Sequence, residues 1–105
     1  MDPSMMITVD ELRAAADLLL DAVERRFGPT IDLSADYYWE IGAAAAFDLD
    51  ANPSDAITAG QLTDDVVSVR QFIRRSPADL EAIWHEASHL TGILRRIVAM
   101  DLPPP

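Results

Sequence analysis

The chain's two histidines stand in His85-Glu86-Ala87-Ser88-His89, a spacing that metal chemistry uses. Side chains four residues apart on a helix point the same way. Two imidazoles at that spacing can share one Zn²⁺, and the Glu between them can serve as general base in a zinc-dependent hydrolase. A third His at position 95 would complete a three-ligand set, but Arg95 stands there and offers no lone pair. On a helical wheel Arg96 projects between the two histidines. The pair also lies roughly opposite the Leu80, Ala87, Leu94 stripe, which turns it toward solvent. We therefore read the motif as coincidental and expect no metal and no cofactor. A weak Zn²⁺ or Ni²⁺ site at His85 and His89 is the more plausible remnant, and the hydrolase stays as an alternative.

Asp48-x-Asp50-x-Asn52 opens like a calcium-binding loop. Pro53 then replaces the turn glycine, and Ala59 stands where a bidentate Glu belongs. The segment reads instead as a turn rich in Asx side chains. No Gly-rich phosphate loop is present. With no cysteines, thiolate sites, thiol nucleophiles and disulfides are excluded. Asp64 and Asp65 read as acids of a first helical turn, where the macrodipole favours them.

The charge pattern is more informative. The chain has 105 residues and a formal net charge of −10, and all 8 of its basic residues are Arg. Such a field repels phosphate backbones and anionic membrane surfaces, and it attracts basic proteins or cations. From Phe27 to Val69 there is no Lys or Arg, while Asp32, Asp36, Glu40, Asp48, Asp50, Asp55, Asp64 and Asp65 accumulate. The aromatics Tyr37-Tyr38-Trp39 sit inside this stretch, bracketed by Asp36 and Glu40. No uncharged apolar run approaches the ~20 residues of a membrane span. The N-terminus has no basic n-region, so a cytoplasmic protein is expected.

Helices must position these groups. Thr8-Val9-Asp10-Glu11 is a capping box, Leu12, Ala16, Leu19, Leu20, Val23 and Phe27 recur at helical spacing, and Gly28-Pro29 stops the run. Gly42 and the alanines after it allow a short helix. Thr58-Ala59-Gly60-Gln61 reads as a second capping box ahead of Leu62, Val66, Val69 and Ile73. Ser76-Pro77-Ala78-Asp79 starts a final helix that ends before Pro103. The expectation is a single, mainly α domain over 1–105, with flexible tails at 1–6 and 102–105. Its three main helices are expected at about 8–27, 59–75 and 77–101, around an irregular acidic middle with room for one short strand or hairpin. If Tyr37-Tyr38-Trp39 is extended, alternation turns Tyr37 and Trp39 to the core and Tyr38 outward.

Asp36-Tyr37-Tyr38-Trp39-Glu40-Ile41, Pro53, and Gly60-Gln61-Leu62-Thr63-Asp64-Asp65 together resemble a group of small acidic bacterial proteins. That group shares a D-Y-Y-W segment, a downstream Pro and a G-Q-L-x-D-D segment between two helices. The resemblance implies that the two segments belong together, and it carries no activity with it. The functional expectation is a non-enzymatic interaction module for a basic protein partner, of immunity or antitoxin type. Asp36, Tyr37, Tyr38, Trp39, Glu40, Asp64 and Asp65 form its expected binding surface. A small structural or regulatory subunit, possible as a homodimer, is the other alternative.

Overall fold

The computed structural model describes residues 5–75 and 82–103. Among them the chain is predominantly helical, and it divides into two compact units, Met1–Asp32 and Leu33–Pro105. Among the described residues no helix is long and apolar enough to cross a membrane.

The first unit is built on α1 (Val9–Phe27). The capping box forms as its sequence dictates. The Glu11 amide donates to Thr8 Oγ1 at 3.0 Å, and the Thr8 amide donates to Glu11 Oε1 at 3.0 Å. The bond from the Thr8 amide, helped by the Thr8 hydroxyl, holds the Glu11 carboxyl below its usual range. Gly28 closes the helix with a φ of 89°, a left-handed value that a side chain resists, and its N–H donates to Glu24 O at 2.7 Å. Arg25 and Arg26 lie in the last turn, where cations complement the dipole. Arg13 reaches back to Asp10 at 3.0 Å.

The second unit holds β1 (Tyr37–Ile41), α2 (Ala43–Ala46), α3 (Pro53–Ala56), β2 (Ile57–Gln61), α4 (Leu62–Phe72) and α5 (Ile83–Asp101). The two strands pair antiparallel, with Tyr37 opposite Gln61, Tyr38 opposite Gly60, Trp39 opposite Ala59 and Ile41 opposite Ile57. Residues 58–61 are therefore strand, not the start of a helix. Pairing with β1 satisfies their backbone, and a local capping pattern cannot compete with that ladder. Helix α4 begins directly at Leu62.

Between the strands, Asp48 Oδ1 accepts from the Asp50 amide at 3.1 Å, and Asn52 Oδ1 accepts from the Ser54 amide at 3.2 Å. These are the Asx bonds expected of the segment. Helix α4 packs on α5, and Leu62 and Ile97 are the buried apolar side chains among the described residues. The Ser76-Pro77-Ala78-Asp79 start signal and Leu80 lie outside the described residues. Arg96 Nε donates to Leu33 O at 2.6 Å, so its guanidinium ties α5 to the chain entering β1. The helical wheel alone had placed it between the histidines.

The ring of Tyr38 lies over Gly60, where an added Cβ would overlap the ring carbons and hydroxyl. Gly60→Ala is expected to destabilise the fold by about 1–3 kcal/mol, through overpacking at a site with no slack. Urea unfolding followed by far-UV circular dichroism measures it, and an unchanged midpoint would show that the ring moves aside freely.

Candidate functional site

Helix α4 has no capping side chain of its own at Gln61. The cap comes from Asp36, 27 residues away in sequence from Thr63, whose amide donates to Asp36 Oδ1 at 3.0 Å and whose hydroxyl donates to it at 2.9 Å. Gln61 Nε2 donates to Asp36 Oδ2 at 2.9 Å, and the Leu62 amide donates to Asp36 O at 2.6 Å. A carboxylate at a helix N-terminus satisfies otherwise orphaned N–H groups and meets the positive end of the dipole. The Gln61 bond first, then the Thr63 amide, hold the Asp36 carboxyl below its ordinary value of 3.8.

One turn further along α4, Asp65 is only 3% exposed. Its Oδ2 accepts from the Tyr38 hydroxyl at 2.6 Å, and its Oδ1 lies 2.8 Å from His89 Nδ1. One carboxylate thus joins β1, α4 and α5. Gly92 lets α5 approach this closely, since a Cβ there would overlap the Asp65 carboxylate and the Tyr38 hydroxyl. Burial, then the hydrogen bond and charge of Asp65, then the charge of Glu40, push the Tyr38 phenol well above its usual range. Tyr38 therefore remains a donor. Because a carboxylate can only accept, His89 Nδ1 must carry a proton, and its Nε2 keeps the lone pair in the neutral ring.

This geometry reverses two expectations. Tyr38 turns inward, and Tyr37 and Trp39 turn outward at 72% and 78% exposure. The alternation was read correctly but in the wrong phase, because Asp65 captures the phenol of Tyr38. His89 is not solvent-facing either: its side chain is 21% exposed, while that of His85 is 53% exposed. The two rings stay close, with centroids 4.8 Å apart. Glu86, the would-be general base, has Arg75 Nη1 at 3.8 Å and His85 Nδ1 at 3.7 Å.

The seven acidic and aromatic residues expected to form one surface thus separate into two groups. Asp36, Tyr38 and Asp65 work inside the unit. Tyr37, Trp39 and Asp64 are exposed, and Glu40 is half-buried. Opposite residues in the register share a side, so the outer face of the β1–β2 ribbon carries Tyr37, Trp39, Ile41 and Ile57 together. A cavity of about 270 Å³ opens against the Asp65 clasp, lined by Tyr37, Tyr38, Glu40, Asp64, Asp65 and His89 among others. The part of His89 in this site escaped the sequence reading. Only the i, i+4 spacing of His89 from His85 was legible, and it does not point across elements.

Tyr38→Phe keeps the ring and removes the donor to a buried carboxylate. It is expected to cost about 1–3 kcal/mol in urea unfolding. The pH dependence follows from Asp36. A carboxyl held below its unfolded value adds stability that is fully present above that value, 3.8, and is lost as pH falls through the lower folded value. Acid titration of Asp36→Asn should show a shallower loss of stability below that pH than the unaltered chain. Superimposable acid limbs would remove Asp36 from the cap. No protein-family model, curated protein or solved structure matches the chain.

Proposed function

We propose that the chain is a non-enzymatic interaction module that binds a basic protein partner, in the manner of a bacterial immunity or antitoxin protein. The observation that carries this reading is the pair Tyr37 and Trp39, 72% and 78% exposed side by side on one face of a two-stranded ribbon. Large aromatics held out on a fixed backbone lose little freedom on binding and bury much area, which suits them as anchors. The clasp at Asp65 and the cap at Asp36 fix the ribbon from behind. Ile41 and Ile57, each 43% exposed, extend the apolar face.

Charge supplies the partner's sign. The net charge is −10, and the stretch from Phe27 to Val69 around the ribbon holds no Lys or Arg. Asp64 is exposed at the start of α4 and lines the same cavity as Tyr37, while Glu40 shares the Tyr38 side of β1. An exposed carboxylate near an aromatic anchor, in a field of this sign, steers a cationic surface. The same field disfavours nucleic acid and anionic membranes.

The test is a kinetic comparison against a basic partner isolated from the native host. Trp39→Ala should cost about 2 kcal/mol or more, mostly as faster dissociation. Asp64→Lys should slow association and flatten its salt dependence. An association rate indifferent to both salt and Asp64→Lys would end the proposal, and so would a partner that binds Trp39→Ala as tightly as the unaltered chain.

A further inference from the structure

We infer that His85 and His89 form a two-imidazole site for a divalent transition-metal ion, with Asp65 as the outer-shell carboxylate that orients His89. Three observations converge on it. The two rings come from successive turns of α5, with centroids 4.8 Å apart and planes at 81°. Asp65 Oδ1 accepts from His89 Nδ1 at 2.8 Å, which directs the proton to Nδ1 and leaves Nε2 as the donor atom. A metal-binding His usually has this partner: a buried carboxylate on the other ring nitrogen that fixes the tautomer and raises ligand basicity. The carboxylate is itself fixed by Tyr38 at 2.6 Å, so the orientation is inherited from the fold.

Both signs stand near the rings: Glu86 Oε1, 3.7 Å from His85 Nδ1, also has Arg75 Nη1 at 3.8 Å. Asp65 and Glu86 are the carboxylates that the structure places against the two rings. Arg96 Nε is engaged by Leu33 O. Among the described residues no group of three or more His, Cys, Asp or Glu side chains gathers around one ion position. The ligands the structure supplies are thus the two imidazoles. Imidazole selects Zn²⁺, Ni²⁺ or Cu²⁺ over Mg²⁺ and Ca²⁺.

Calorimetric titration of the chelator-stripped full chain with ZnCl₂ tests the site. The expected result is saturation at one ion per chain, unaffected by excess Mg²⁺. His85 is exposed and takes no part in the Asp65 clasp, so His85→Ala should fold normally by circular dichroism and lose saturable binding. Asp65→Asn should weaken binding roughly 10–100-fold while keeping the stoichiometry. The site is refuted if the unaltered chain shows no saturable Zn²⁺ binding, if folded His85→Ala binds as the unaltered chain does, or if Mg²⁺ displaces Zn²⁺. The last two results would assign the ion to surface carboxylates.

Discussion

The second unit depends on one buried carboxylate. Asp65 is almost wholly removed from water, and burying a charge without partners costs several kcal/mol. The Tyr38 hydroxyl and the His89 ring meet its two oxygens, one on each. Charge-assisted bonds of this kind are short and directional. They therefore specify where β1 and α5 stand on α4, in a unit whose buried apolar side chains among the described residues are only Leu62 and Ile97. Gly60 and Gly92 follow from the same constraint, because the Tyr38 ring and the carboxylate occupy the space their side chains would take.

Fixing Tyr38 also determines what the surface presents. Side chains alternate along a strand, so an inward Tyr38 obliges Tyr37 and Trp39 to face out. The cross-strand register brings Ile41 and Ile57 to that same face. Asp36 acts in parallel. Its carboxylate caps α4 while its carbonyl accepts from the first residue of that helix, so the start of the ribbon and the start of the helix share one anchor. An aromatic face held from behind at two points differs physically from a mobile loop bearing the same residues. Much of its ordering is already done by the fold.

Some of this was legible in the chain before folding. The Thr8–Glu11 box, the Gly28 stop, the alanine turn after Gly42 and the Asx bonds of Asp48 and Asn52 all stand where their residue types imply. The resemblance implied that the Tyr-Tyr-Trp and Gly-Gln-Leu-Thr-Asp-Asp segments belong together, and in the fold Tyr37–Ile41 pairs with Ile57–Gln61 directly ahead of α4. The reading failed where a local pattern competed with a long-range pairing. Thr58-Ala59-Gly60-Gln61 satisfies a capping template, yet it lies in a strand because β1 is present to pair with it.

The sequence by itself determined the features that rest on neighbours within about four residues, the two ends of α1 and the Asx turns, together with the sign of the charge. Only the tertiary structure decided which aromatics face the solvent, which acids are spent internally and that His89 has a carboxylate behind it. The contacts responsible join residues 24 to 27 positions apart. Periodicity gives a strand two faces but does not say which is buried. Here that choice belongs to Asp65, whose buried oxygens accept a phenol from one side and an imidazole from the other.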